Sequence, residues 1–254
     1  QNIILSDMTL LGVGGTSNAG IPYNTTFGMI GHGYMYTGFQ PQITYSTPKM
    51  GGFQASAGIF QPSSFAGDET KAPGVQAMAS YDFKGNSTSG KIWGGLVTQS
   101  TSCSSDPCAV KSFTATGYEL GAKAGFGNFE AVAYGFSGSG LGLSTVGAQF
   151  FGGSNGNGDK TDSVGYFLQG TYKFGATKVG LNYGENKDKN GFVMSGASPL
   201  NEIKNKAYTA GVYHSLNKYI TLVGEYNQEE VSNVTDSNFD NKNRTVSLGG
   251  IIFF

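Results

Sequence analysis

The sequence predicts an all-β chain, a transmembrane antiparallel β-barrel. Three observations carry that expectation. From Phe39 onward, stretches of about ten residues alternate apolar with small or polar side chains, and a period of two puts successive residues on opposite faces of a strand. Short turns and longer polar loops take turns separating these stretches. Aromatic rings gather near the stretch ends, where a membrane interface would wet one edge of each ring.

Eleven strands follow in order. They are expected at Phe39–Ser46, Phe53–Gln61, Val75–Phe83, Lys91–Gln99, Phe113–Phe126, Phe129–Phe136, Ser163–Phe174, Lys178–Gly184, Ala207–Ser215, Ile220–Tyr226 and Thr245–Phe254. In the fifth, Tyr118, Leu120, Ala122, Ala124 and Phe126 share one face, with Glu119 and Lys123 on the other. In the seventh, Tyr166, Leu168, Gly170 and Tyr172 oppose Gln169, Thr171 and Lys173. Strands recur about every 20 residues, wider than the roughly 8–12 of soluble sandwiches. Polar groups inside a strand would be costly in a dry core. A water-filled lumen solvates them, whereas a soluble lipocalin-like barrel would need an apolar interior. The expected aromatic girdle comprises Phe83, Trp93, Phe126, Phe129, Tyr172, Phe174, Tyr183, Tyr219 and Tyr226.

Composition excludes other classes. Gly accounts for 41 of 254 residues, well above the usual share of about 7%. That is unsuited to helix interiors, and no Gly-X-Y period suggests collagen. Charged residues are only 13% and aromatics 13%, the opposite of a disordered chain. A net charge of −1, with Arg244 the only arginine, argues against nucleic-acid binding, which needs a basic face. Gln1 opens without a basic leader-like region. The uncharged run from Met8 to Pro48 is too broken by Gly, Asn, Ser and Pro for a membrane helix.

The C-terminal alternation Val246, Leu248, Gly250, Ile252, Phe254 resembles the last strand of Gram-negative outer-membrane proteins, in which the terminal aromatic is an assembly signal. The block Gln42-Ile43-Thr44-Tyr45-Ser46-Thr47-Pro48-Lys49-Met50-Gly51-Gly52-Phe53, continued by Gln54-Ala55-Ser56-Ala57-Gly58, is similar to the strand–turn–strand that follows the constriction loop of trimeric general porins. The resemblance is strongest over residues 36–61 and at the C-terminus. It implies a sixteen-stranded barrel, with residues 1–35 as the constriction loop, residues 36–254 as strands six to sixteen, and five earlier strands outside this sequence. An odd strand number leads to the same expectation, because a closed antiparallel barrel of this kind is even-numbered. The resemblance also implies a homotrimer, contact with outer-membrane lipid and lipopolysaccharide, and recognition of Phe254 by the barrel-assembly machinery. The expected function is passive diffusion of small hydrophilic solutes and ions. A substrate-specific channel or an adhesive barrel is the alternative.

Candidate residues follow. Asp7, the only acid before Lys49, is the expected constriction acid, or else a capping residue. Met8, Thr9 and Leu10 suggest a short helical turn after it. Tyr23, Asn24 and Thr25 offer hydrogen bonds to solutes, and Tyr23, Tyr34 and Tyr36 a conceivable stacking track. The lumen-lining set by polar parity is Glu119, Lys123, Gln169, Thr171, Lys173 and Asn182. The resemblance places the opposing basic ladder on the earlier strands, so ion preference is not readable here. Cys103 and Cys108, six residues end to end with Pro and Ser between, suit a disulfide stapling an external loop in an oxidising compartment. Gly12-Val13-Gly14-Gly15 lacks the Lys-Ser/Thr of a phosphate loop. Asn155–Asp162 lacks the terminal acid of a calcium loop. His32 and His214 have no nucleophile signature beside them, so no enzyme, cofactor or metal is expected. Intact-mass measurement of the protein from its native membrane tests the missing strands: the expected mass exceeds 26.6 kDa by about 100 residues at the family's strand spacing, and a mass of 26.6 kDa would exclude them.

Overall fold

Alternating residues pair into one antiparallel sheet. The computed structural model describes residues 3, 5–12, 28–35, 40–62, 68–103, 112–141, 160–189, 202–233 and 240–254. Its strands are β1 (Gln42–Ser46), β2 (Phe53–Phe60), β3 (Asp68–Glu69), β4 (Gly74–Lys84), β5 (Thr88–Cys103), β6 (Phe113–Phe126), β7 (Phe129–Ser139), β8 (Asp162–Phe174), β9 (Thr177–Lys189), β10 (Glu202–Ser215), β11 (Ile220–Asn233) and β12 (Asn241–Ile252). All but β3 form a continuous meander in chain order, each pairing with the next; β3 pairs with the far end of β5. The eleven meander strands correspond to the eleven expected. Among the described residues β1 and β12 do not pair with each other.

Turn chemistry closes one end of the meander. Two-residue hairpins join Phe126 to Phe129 and Phe174 to Thr177, and Gly127 and Gly175 take positive φ there, a conformation that glycine adopts without Cβ strain. The long connections all fall at the opposite end. The strands reach further into them than the alternation alone suggests. Residues 185–189, 202–206 and 227–233, expected as loop, are paired strand. β1 begins at Gln42 rather than Phe39, and β12 ends at Ile252 rather than Phe254.

The two faces of the sheet differ as the parity predicts. One face exposes Tyr118, Leu120, Leu168, Leu181, Val212, Val246 and Leu248, the last at 85%. Rings border this face: Phe126, Phe129, Tyr172, Phe174 and Tyr219 near the short turns, and Tyr166, Tyr183, Tyr208 and Tyr226 toward the loops. From Phe174 to Tyr166 is about 27 Å along the strand at ~3.4 Å per residue. Tilted by roughly 35–45°, that spans about 20 Å of membrane, close to the apolar band of such barrels. Trp93 is an exception to the expected girdle. It points inward at 2% exposure, against Gly121 and 6.5 Å from Tyr134. It sits on the inward parity of β5, where the absence of a side chain at Gly121 leaves room for the indole. A charge in mid-band tests the lipid-facing assignment. Leu181→Arg is expected to cost about 2–4 kcal/mol in urea unfolding from lipid vesicles, and an unchanged transition would place Leu181 off the lipid face.

Candidate functional site: an inward segment on a charged wall

The other face of the sheet carries the candidate site. Residues 3, 5–12 and 28–35 lie against the interior of β5 and β7–β11, and polar side chains of β8–β11 meet their backbone one by one. Gln169 accepts from Met8 N at 2.8 Å and donates to Ser6 O at 2.7 Å. Asn182 donates to Thr9 Oγ1 at 2.7 Å and accepts from Thr209 N at 3.0 Å. Asn186 accepts from Gly33 N at 2.6 Å and donates to Gly31 O at 2.8 Å. Glu225 takes three consecutive backbone donors: Leu10 N at 2.7 Å, Leu11 N at 2.9 Å and Gly12 N at 2.9 Å. Tyr213 adds its hydroxyl to Glu225 at 2.8 Å. Leu10 to Gly12, where the Gly-rich run begins, thus form an anion-binding turn filled by the protein's own carboxylate; Val13, Gly14 and Gly15 lie outside the described residues.

Apolar contacts complete the docking. Met8 packs with Tyr213 and Val223. Ile3, Met29, Tyr34 and Met35 pack with Trp93, Val132, Tyr134, Phe136 and Phe167, and Tyr34 meets the Phe167 ring edge-on at 5.7 Å. Close approach depends on missing side chains. Gly33 has φ +108°, and a Cβ there would strike Tyr166 O, while one on Gly184 would strike His32 O. This part of the interior is a packed core, not the wholly wet wall that parity alone suggested.

The expected site residues divide accordingly. Asp7 is half-buried and accepts from Thr9 N, Met29 N, Tyr34 Oη and Asn182 Nδ2 at 2.9–3.3 Å. It links the two described stretches of the segment. Burial raises its carboxyl from the ordinary aspartate value, and the hydrogen bonds from Thr9, Met29 and Tyr34 act against that shift. The described turn forms at residues 3–7, where Ser6 N and Asp7 N donate to Ile3 O, and not as a helical turn at Met8–Leu10. Gln169, Thr171 and Asn182 lie on the inward parity and are buried, Gln169 and Asn182 beneath the segment. Glu119, Lys123 and Lys173 also occupy the interior parity. Glu119 accepts from Tyr134 Oη at 2.7 Å, and Lys123 pairs with Glu130 at 3.0 Å. Tyr23, Asn24, Thr25, Tyr36, Cys108 and Asn155–Asp159 lie outside the described residues; Cys103 closes β5. His32 Nε2 lies 3.0 Å from Glu229 Oε1, and His214 Nδ1 lies 2.9 Å from Thr177 Oγ1. Both histidines hold neighbouring structure.

Sequence reasoning missed Glu225, Asn186, Glu229 and the Gly33–Gly184 contact. The inward parity of β9 and β11 was a signal for the three polar residues, since each is a polar side chain inside a strand. Which of them meets the segment is a long-range matter. Away from the segment, a cavity of about 230 Å³ remains, lined by Met35, Gln42, Thr44, Ser56, Gln76 and Glu119. At the short-turn end the interior carries Lys49, Lys84, Lys91, Lys123, Lys173 and Lys178, with Asp82 and Glu130 among them. Lys91 stands directly opposite Lys123, and Lys173 opposite Lys178.

An all-β sheet with a lipid-facing apolar band and a loop docked on a polar interior defines an integral outer-membrane β-barrel. The family model of the Gram-negative porin matches residues 2–250, and the chain belongs to that family. Solved structures share the fold. The outer membrane channel DcaP of Acinetobacter baumannii aligns with TM-score 0.67 at 18% identity, over 96% of this chain and 70% of that one. OmpT, an outer membrane protein of Vibrio cholerae, aligns with TM-score 0.50 at 14% identity, over 84% of this chain and 64% of that one. The chain therefore spans under two thirds of the OmpT length. No curated protein matches significantly.

The docking makes a local prediction. Glu225→Ala removes charge-assisted hydrogen bonds worth about 1.5–3 kcal/mol each, so amide exchange at Leu10–Gly12 should accelerate by at least about tenfold in hydrogen-exchange mass spectrometry. Unchanged protection there would mean that the carboxylate does not hold the segment.

Proposed function

We propose that this porin forms a water-filled passive channel for small hydrophilic solutes and ions, and that its short-turn mouth favours anions. The lysine wall is the observation that carries this reading. Like charges directly opposite in a sheet are destabilising, yet two such pairs, Lys91–Lys123 and Lys173–Lys178, sit at one end of the interior. Asp82 and Glu130 only partly offset the six lysines there. Rings of lysine attract anions into a pore and repel cations. A solute then passes the polar lining of Gln42, Thr44, Gln76 and Glu119 beside the inward segment, which narrows the passage. In this reading residues 1–35 are the constriction loop. Asp7 shapes it by holding Met29 and Tyr34, and Tyr23, Asn24 and Thr25 offer solute contacts. The reading is of a channel and not of an enzyme.

The same reading includes further strands. Unpaired N–H and C=O groups along the outer edges of β1 and β12 would cost several kcal/mol each in lipid, and additional strands joining those edges remove that cost. A sixteen-stranded, homotrimeric assembly follows from the family resemblance. Phe254 serves as the assembly signal, and a Cys103–Cys108 disulfide staples the loop after β5.

Planar-bilayer recording of the folded protein is the test. Ohmic single-channel current is expected, with an anion-over-cation permeability ratio above one in a potassium chloride gradient. Lys91→Glu with Lys123→Glu should bring that ratio below one while current persists. Absence of current would refute the channel, and a wild-type ratio at or below one would refute the anion preference.

A further inference from the structure

The cavity of about 230 Å³ is walled by β1, β2, β4, β5 and β6 and by Met35 of the inward segment. Register builds its polar side. Thr44 of β1, Gly58 of β2 and Gln76 of β4 stand in one row across the sheet. A Cβ on Gly58 would strike Thr44 Oγ1, so the missing side chain lets the flanking polar groups meet over it. Gln76 Nε2 donates to Gln42 Oε1 and, at 3.3 Å, to Thr44 Oγ1. Thr44 Oγ1 donates to Gln42 Oε1 at 3.1 Å. One row nearer the short turns, Ser56, Met78, Gly95 and Glu119 follow one another across β2, β4, β5 and β6. The Glu119 side chain lies over Gly95, its Oε1 3.0 Å from where a Cβ would stand. Tyr134 holds the other carboxylate oxygen at 2.7 Å. Five polar side chains from four strands thus converge on one cavity beside the segment.

We propose that Gln42, Thr44, Ser56, Gln76 and Glu119 form a binding site for an uncharged polyhydroxylated solute of monosaccharide size. This deepens the channel reading and rests on it. Three features select the class. The first is hydrogen-bonding chemistry. Amide and hydroxyl side chains both donate and accept, and a carboxylate accepts; a ring of hydroxyls, each both donor and acceptor, answers all of them. The second is charge. Among the described residues, Glu119 is the only charged one lining the cavity, so a solute carboxylate or phosphate meets a like charge there and no cation. Lys91 and Lys123 stand four residues along β5 and β6 from Gly95 and Glu119, about 14 Å, which separates the lysine mouth from this site. The third is size. The volume equals that of about eight waters at ~30 Å³ each and falls below the roughly 300–1,000 Å³ of pockets for drug-sized ligands. It suits one sugar ring and not a chain of them. Gln42 and Thr44 are exposed, so a solute reaches them without any opening of the fold. The bonds among Gln42, Thr44 and Gln76 hold these side chains in place beforehand, which lowers the cost of ordering them on binding. Neutral hydrogen bonds are individually modest, so a bound solute also leaves, as conduction requires.

The test uses the purified full-chain porin in detergent micelles, with glucose as the probe and saturation-transfer NMR as the readout. Saturable binding in the millimolar range is expected. Triethylene glycol, similar in size but poor in hydroxyls, should show no saturable binding. Gln42→Ala/Gln76→Ala should weaken glucose binding at least about fivefold, since each neutral hydrogen bond contributes a factor of about two to ten. In planar bilayers, glucose should lower the single-channel current saturably over the same concentrations. Heat-modifiable electrophoretic mobility checks that the double variant is folded; if it does not fold, the contrast between glucose and triethylene glycol on the wild type still decides. Equal behaviour of the two solutes, or wild-type affinity in the folded double variant, would overturn the proposal. Charged glucosamine binding at least about tenfold more tightly than glucose would reassign the cavity to ammonium recognition by Glu119, through a charge-assisted bond, and overturns it as well. The NMR readout needs no current. Glucose binding without conduction would refute the channel and leave the site, whereas conduction without glucose binding would refute the site alone.

Discussion

In hydrocarbon no water is present to hydrogen-bond a peptide group, so each strand of a membrane sheet must find its partners in neighbouring strands. Every other feature of this chain is arranged around that constraint. The pairing forces an extended backbone with two faces, one meeting lipid and the other meeting the lumen. Leu248 and Leu181 are left bare on the first, while Gln169, Asn182 and Glu225 can be ionic or amide-bearing on the second. The same constraint explains why length is sorted by end. Two-residue turns at Gly127 and Gly175 close one rim with few unpaired groups, and the longer connections leave from the other.

The interior is divided rather than uniform. Over β8–β11 the inward segment turns the wall into a core, in which Met8, Met29 and Tyr34 supply apolar area. Amide and carboxylate side chains take up the backbone donors and acceptors of a segment without regular structure. Glu225 illustrates the principle: three consecutive N–H groups converge on one carboxylate, so chain that would otherwise need water is satisfied in a dry contact. Glycine contributes where two backbones must touch, as at Gly33 and Gly184. Around Gln42, Thr44 and Gln76 the wall stays open, and these polar groups face the remaining cavity.

Charge is kept out of the described lipid band, where it would cost folding most. The chain is nearly neutral, yet lysines face one another inside the short-turn mouth and again outside at the loop-end rim, where Lys187 opposes Lys204. Such pairs weaken a sheet.

Local pattern was enough for the number of meander strands, the identity of the lipid face and the end that carries short turns. Each is set by neighbours two residues apart or by a glycine in a turn. Glu119, Lys123, Gln169, Thr171, Lys173 and Asn182 were placed on the interior by the same parity. Their state was not legible. Gln169 and Asn182 are dry because residues more than 160 positions away lie on them, and Trp93, inward by parity, has room for its ring because Gly121 on the next strand has no side chain. The rows of Lys206, Glu230 and Lys242, and of Lys91 and Lys123, exist only through register between strands. A period-two pattern in one strand determines which way a residue points; only the pairing of strands and the docking of the segment decide what it meets there, because those contacts join residues far apart in the chain.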